Sequence, residues 1–323
     1  MEWTRSPLAS RLARATLAAA LGLAVGSCDT NPIRPPVVTN SVVWTRITDP
    51  ARIAEPSRPD WRGGTIAFEY RDAAGHFRLA HMNEDGSGAV LYTDPAASDD
   101  HSPSWVAGGL LVYSSNKAAP GTGNYDLWYS DLAAGTVRRL TAFPEAEWDP
   151  APRPGRPMLA YAEGADPLGG RITLIPDTAA AIPARDYLTP DTLLAGEPSW
   201  DPAGARVCFS AVDPDGSRHI WVLTLAGTSV TSSVRLTTGA IHDSSPRFSP
   251  DGKKIVFASD RTGRSGVWWV SGTGEASGLN LISFEDQGAV ILSPSWSPDG
   301  LRIVLSSNGR GGRAIWVLSN LDL

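Results

Sequence analysis

Short apolar runs recur along the chain, each bounded by Pro, Gly, Asp or Ser: Leu111-Val112-Tyr113, Val207-Cys208-Phe209, Ile255-Val256-Phe257 and Ile303-Val304-Leu305. Runs this short and this rich in β-branched and aromatic residues predict buried strands rather than helices. A proline opens a preceding short strand at Pro56, Pro103, Pro150, Pro198, Pro246 and Pro294, at steps of 47, 47, 48, 48 and 48 residues. Only a repeat architecture keeps so constant a period. The best-kept unit is Ser293-Pro294-Ser295-Trp296-Ser297-Pro298-Asp299-Gly300, and Ser245–Gly252 and Glu197–Gly204 match it closely. Its Pro-Asp-Gly turn is mechanical: Pro presets φ, Asp caps the turn, and Gly takes the left-handed conformation that returns the hairpin.

Third strands follow at Leu127-Trp128-Tyr129, Ile220-Trp221-Val222, Val267-Trp268-Trp269-Val270 and Ile315-Trp316-Val317-Leu318. Fourth strands end in pairs such as Leu140-Thr141, Leu188-Thr189, Leu236-Thr237 and Leu281-Ile282. Four short strands per unit predict a blade, and six units predict an all-β, six-bladed β-propeller. The unit at Pro150 is degenerate, with Arg153-Pro154-Gly155 as its turn, and the first is partial, with Trp61 after Pro59-Asp60. The last unit stops after its third strand. Ser41 to Thr48 has the fourth-strand pattern, so the N-terminal strand is expected to complete the last blade and remove an exposed sheet edge.

Composition supports this picture. The 32 Gly and 26 Pro suit many short strands, and the 12 Trp supply apolar surface for packing sheets face to face. The net charge is −6, and because residues 1–27 hold three Arg and one Glu, the remainder carries −8. Such a balance argues against nucleic acid as a partner and against loose electrostatic attachment to anionic lipid.

Residues 1–28 read as a basic segment (Arg5, Arg11, Arg14) and an apolar run from Ala15 to Gly26. The run is far short of the roughly 20 residues that span a bilayer as a helix. It has the length of an export-signal core. Val25-Gly26-Ser27-Cys28 resembles the bacterial lipobox, which implies cleavage before Cys28 and its lipidation. The alternative is an ordinary secretory signal in which Cys28 is incidental. Asp29 follows, a residue that favours inner-membrane retention in enterobacterial lipoproteins; which membrane would hold the anchor stays open. Residues 29–41, with Pro32, Pro35 and Pro36 and no hydrophobic period, read as a semi-extended tether. Cys208, the remaining thiol, sits in an apolar strand without an activating base and reads as core packing.

The Pro-x-Trp-Ser-Pro-Asp-Gly repeat resembles the propeller of TolB and its relatives, over essentially all of residues 42–323. The resemblance implies a periplasmic or surface-facing propeller, a monomer, that binds a protein partner in the cell envelope. TolB proper carries an N-terminal α/β domain where this sequence has only the tether, and the hydrolase domain of prolyl oligopeptidase relatives has no counterpart, so the Tol–Pal role does not transfer intact.

Candidate chemistry concentrates in the loops before the opening prolines. Glu55, Asp99, Asp100, Glu145, Glu147, Asp149, Glu197, Asp243, Glu285 and Asp286 lie there, and His101 and His242 share two of these loops. Glu55, Asp99, Asp100, His101, Glu147, Glu197, His242, Asp243 and Asp286 are the candidate tunnel-mouth binding set. Three uses are compatible with acids in this pattern: capping of loop N–H groups, recognition of a basic partner segment, or a hard cation in the central tunnel held by oxygen ligands. No catalytic residue is assigned, no cofactor is expected, and the His spacing matches no metal motif. No nucleophile elbow, His-Glu-x-x-His or phosphate-binding loop occurs. An envelope scaffold is the first functional expectation; a surface protein that binds or degrades polysaccharide through the tunnel mouth is the alternative, and a cation-stabilised structural module a third.

Overall fold

A computed structural model describes residues 42–323 except 93–96, 166–169, 181–182, 240, 274–277, 285–287 and 310. The proposed signal segment, Cys28 and the whole tether of residues 29–41 lie outside the described residues, as do Glu285 and Asp286. Strand β1 (Val43–Arg46) comes first. Blade 1 then contains β2 (Ala54–Arg62), β3 (Thr65–Arg71), β4 (Phe77–Asn83) and β5 (Val90–Leu91). Blade 2 has β6 (Asp100–Trp105), β7 (Leu110–Ser115), β8 (Asp126–Asp131) and β9 (Thr136–Arg139); blade 3 has β10 (Glu147–Pro152), β11 (Leu159–Glu163), β12 (Arg171–Ile175) and β13 (Asp186–Tyr187). Blade 4 has β14 (Leu194–Trp200), β15 (Arg206–Val212), β16 (Arg218–Ala226) and β17 (Ser229–Arg235); blade 5 has β18 (Asp243–Phe248), β19 (Lys254–Ser259), β20 (Gly266–Ser271) and β21 (Asn280–Phe284). Blade 6 is β22 (Ile291–Trp296), β23 (Ile303–Ser307) and β24 (Ala314–Ser319), completed by β1. The six sheets are all four-stranded and antiparallel, as the repeat predicts.

Burial follows position in the blade. Second strands such as β7, β11 and β23 are buried along nearly their whole length, because both of their faces pack on neighbouring blades. That is why they read as unbroken apolar runs instead of alternating ones. The outer strands β9 and β17 are exposed.

Closure works as the chain termini predict. Trp44 pairs with Leu318 and Arg46 with Trp316, and the Ile47 N–H donates to the Ile315 carbonyl at 3.0 Å. The Ile315 N–H donates to Thr48 Oγ1 at 3.0 Å. Thr141, Thr189 and Thr237 accept the same bond from Leu127, Ile172 and Ile220 at 2.8, 2.8 and 2.9 Å. Ile47-Thr48 is therefore the Leu-Thr pair of blade 6, supplied from the other end of the chain. Leu281 and Ile282 differ from these pairs in lying within β21 itself.

Each inner strand slips register by a bulge, and the residue before its proline takes a left-handed backbone: Ser102 (φ 53°), Asp149 (51°), Glu197 (57°), Ser245 (54°) and Ser293 (50°). In blade 1 the equivalent is Arg58 (φ 50°), before Pro59. The proline that opens blade 1 is thus Pro59 and not Pro56, which shortens the first step to 44 residues. The cause is a second bulge: β2 slips once around Glu55 and again around Arg58. Sequence periodicity alone could not separate two candidate prolines three residues apart.

If the N-terminal strand holds the ring shut, Thr48→Val should lower stability by roughly 1 kcal/mol through the lost buried hydrogen bond. Removing residues 1–48 should abolish cooperative unfolding or give oligomers through the bare β24 edge. Thermal melts and size-exclusion chromatography check both, and a monomer with unchanged melting temperature after the truncation would refute closure.

Candidate functional site

The six left-handed residues do one thing together. Arg58, Ser102, Asp149, Glu197, Ser245 and Ser293 line a single cavity of about 20 Å³ on the propeller axis. That is room for little more than one water molecule, so the tunnel is nearly closed at this waist. Arg58 donates to Ser102 Oγ at 2.9 Å and pairs with Asp149, while Ser102 Oγ donates to Asp149 at 2.7 Å. Glu69 faces the Arg58 guanidinium at 3.7 Å and accepts bonds from Ser57 Oγ (2.7 Å) and the Ser102 N–H (3.0 Å). Burial opposes charge on Arg58, yet Asp149, Glu69 and Glu197 raise its pKa above the ordinary value. A guanidinium therefore sits among the carboxylates where the sequence allowed a cation site.

Glu197 makes an equivalent contact on the opposite side. It accepts the Ser245 N–H and Ser245 Oγ, both at 2.7 Å, and Ser210 Oγ at 2.7 Å. Burial works against its ionisation, but these donors outweigh it and lower its pKa. Glu69 thus holds blade 1 to the strained residue of blade 2, as Glu197 holds blade 4 to that of blade 5. A backbone N–H in a left-handed bulge has no sheet partner, and a buried one needs an acceptor.

The remaining candidates are spread out. Buried Asp100 pairs with half-buried Lys117 at 2.8 Å, and buried Asp243 with half-buried Arg261 at 2.8 Å. Glu55 pairs with Arg71 at 3.0 Å on the surface, and Asp99 accepts the Phe77 N–H at 2.9 Å. His101 Nδ1 lies 3.2 Å from Glu69 Oε2, with its ring against Phe77, Tyr125 and Trp148. His242 is exposed on blade 5, its N–H donating to Asp260 at 2.8 Å. Among the described residues no three His, Cys, Asp or Glu side chains are grouped to hold a metal. Glu147 is fully buried; it accepts the Leu127 N–H at 3.1 Å and a bond from Thr141, while Oε1 has no partner among the described residues. Burial, reinforced by Asp126 and Glu163, pushes its pKa up to about 8. Cys208 is fully buried, which raises its thiol to about 12.

Sequence reading missed Arg58, whose role depends on the second bulge, and Glu69. The signal for Glu69 was present: a lone carboxylate inside the apolar run Ile66 to Tyr70.

The hairpin-side mouth is aromatic. Trp61, Trp105, Trp200, Phe248 and Trp296 occupy one register position in five blades and line a cavity of about 320 Å³. Three of them link blades by donating an indole N–H to the preceding blade: Trp105 to the Asp60 carbonyl (3.2 Å), Trp200 to Ala151 (3.1 Å) and Trp296 to Arg247 (3.2 Å). At the other two aromatic positions a guanidinium of the preceding blade stacks on the ring, Arg206 on Phe248 at 4.9 Å and Arg302 on Trp61 at 4.8 Å. In five of the six blades the first strand thereby contributes both a waist residue and a seam residue, three positions apart.

Two pH effects follow. From the ordinary glutamate range up to about pH 8 the folded chain keeps a proton on Glu147 that the unfolded chain has released, so stability falls as pH rises through that window. Glu147→Gln, neutral throughout, should flatten this fall; an equally steep decline in the variant would contradict the assignment. Glu69 is the opposite case: burial opposes its ionisation, but His101, Arg58 and Ser57 overcome that and lower it to about 2. Its contribution is present above the ordinary range and lost as pH falls toward about 2. Glu69→Gln should cost roughly 3–5 kcal/mol at neutral pH, with melting temperatures of variant and parent converging in acid.

Residues 181–322 match the TolB beta propeller domain family. No protein of curated function matches the chain by sequence. Among solved structures, TolB from Acinetobacter baumannii superposes with a TM-score of 0.57 at 21% identity, over 80% of this chain and 64% of its own. The chain thus spans less than two thirds of that protein's length. A structure assigned to TolB from Agrobacterium tumefaciens gives 0.62 at 18% identity, over 86% of this chain and 97% of its own. An oligogalacturonate lyase from Vibrio parahaemolyticus gives 0.57 at 14% identity, over 87% and 94%. Identities this low speak for the fold alone, and the fold is common to binding proteins and enzymes. The ring formed by β1 to β24 is a six-bladed β-propeller similar in fold to these structures, and its residues 181–322 match the TolB propeller family.

Proposed function

We propose that the chain is a scaffold of the bacterial cell envelope, anchored through acylated Cys28, spaced from the membrane by residues 29–41, and presenting its propeller to a protein partner. One observation carries the reading of the propeller: the axial waist is filled by its own side chains, leaving about 20 Å³. A ligand therefore meets the faces and seams of the ring, not a passage through it. Among the described residues, Glu69 and Glu197 are engaged in holding blades together, and Asp100, Asp243 and Glu55 in ion pairs with Lys117, Arg261 and Arg71. The lipobox-like Val25–Cys28 supports the anchor, since several acyl chains hold a protein at a membrane without a spanning helix.

Expression of the full chain in a bacterium with a lipoprotein pathway tests the anchor. Wild type is expected in the membrane fraction with an acylated N-terminal Cys28, and Cys28→Ser in the soluble fraction. A soluble, unacylated wild type would refute anchoring. For the scaffold, in-cell crosslinking from the two propeller faces is expected to recover a defined envelope protein; turnover of polygalacturonate by the purified chain would favour a polysaccharide-degrading role instead.

A further inference from the structure

Blade 3 is the unit in which the repeat fails, and the failure has a physical consequence at one seam. Five of the six seams carry an aromatic ring bridged from the preceding blade by an indole hydrogen bond or a stacked guanidinium. At the corresponding position blade 3 has Pro152, paired with Leu159 as Trp105 is with Leu111 and Trp200 with Val207. Proline has neither an indole to donate nor a ring for a guanidinium. The seam between blades 2 and 3 is consequently open, as a cavity of about 830 Å³ that shares Arg62, Trp105, Pro152 and Pro154 with the hairpin-side mouth.

The lining of this cavity runs against the charge of the protein. Arg62, Arg138, Arg153 and Arg156 line it, with Asp131 as the one carboxylate, in a chain of net charge −6. Ten other arginines, Arg58, Arg71, Arg78, Arg139, Arg171, Arg185, Arg206, Arg235, Arg261 and Arg302, pair with carboxylates, while Arg46, Arg52, Arg218, Arg247 and Arg313 lie outside the groove without an ion pair among the described residues. None of the four groove arginines pairs with a carboxylate among the described residues. Two of them are held in place: Arg153 donates Nε to the Gly204 carbonyl at 2.5 Å, and Arg138 lies 5.2 Å over the Tyr129 ring. Guanidiniums held by a carbonyl or an aromatic ring but lacking an anion keep N–H groups for carboxylates, which they bind bidentately. Between them the walls are apolar: Val106, Leu110, Pro152, Pro154 and Pro157.

We propose that the seam between blades 2 and 3 is a docking groove for an extended acidic segment of the partner protein, with carboxylates on Arg62, Arg138, Arg153 and Arg156 and apolar side chains against the proline walls. The inference rests on the scaffold reading and specifies which surface serves it. A segment with alternating acidic and apolar residues matches both features of the groove, whereas a polyuronate has no apolar side chains for the walls.

The test uses the full chain and a fluorescein-labelled probe peptide in which Glu alternates with Leu and Pro. Binding by anisotropy is expected to be saturable and weakened by salt. It should fall at least ten-fold in Arg138→Glu/Arg156→Glu. It should also fall in Pro152→Trp, which restores the repeat and offers an indole to the Ser104 carbonyl, and be unchanged in the distant surface variant Lys253→Glu. Circular dichroism and melting curves confirm that each variant is folded; if Pro152→Trp does not fold, the charge-reversal variant decides. Equal binding of the same peptide with Lys in place of Glu, or no loss in the charge-reversal variant, overturns the groove. Saturable binding of polygalacturonate, lost in the same variant, would reassign it to a glycan. In cells, a photo-crosslinker at Thr136, in the groove, is expected to capture an acidic protein, and Arg138→Glu/Arg156→Glu to abolish the capture. Capture only from Val290, outside the groove, would overturn the groove while leaving the scaffold intact; capture from neither position would overturn both.

Discussion

A sheet with apolar side chains on both faces has no stable state until both faces are covered. Every second strand here is such a strand, so each blade depends on the two beside it, and the arrangement that satisfies all six at once is a ring. The pairing of β1 with β24 is where the ring is joined, and it places Val304, Ile315 and Val317 of blade 6 in one core with Ile66 and Phe68 of blade 1. Burial of this kind is worth roughly 25 cal/mol per Å² of apolar surface, and without closure much of it would be lost at two blade faces.

Closing the ring brings six inner strands to one axis, where backbone polar groups crowd. The left-handed bulges turn those strands and leave N–H groups without sheet partners. Glu69 and Glu197 answer that need by accepting the Ser102 and Ser245 N–H groups, and Arg58 offsets the charge they and Asp149 bring. Buried charges are tolerated only when paired and hydrogen-bonded. The tunnel waist is accordingly a structural device, and its acids hold blades together.

The same reasoning applies to the seams. A repeat protein that covers five of its seams with an aromatic residue and leaves one uncovered forgoes stabilisation at that place. The uncovered seam brings four guanidiniums without a carboxylate partner into one cavity, whereas ten other arginines are paired. Degeneracy in a repeat and surplus charge of one sign are separate observations, and they coincide at Pro152.

The amino-acid sequence by itself determined the period, the four strands per unit, the six units and the closing role of Ser41 to Thr48. Each is a matter of local spacing: which residues turn, which alternate, which run unbroken. It also displayed the degenerate unit at Pro150 and the lone acid of Ile66 to Tyr70. Only the tertiary structure decided which side chains meet. Asp100 and Asp243 look like tunnel acids in the chain, yet Lys117 and Arg261, 17 and 18 residues on, take them up in partly buried ion pairs. Pro59, not Pro56, opens blade 1 because of a second bulge in β2 that periodicity does not reveal. Arg58, Glu69 and Asp149 come from three different strands, up to 91 residues apart, and converge only because the ring closes. Contacts within a blade depend on neighbours in sequence and are written there; contacts at the axis and across seams depend on the angle between blades, which no local pattern encodes.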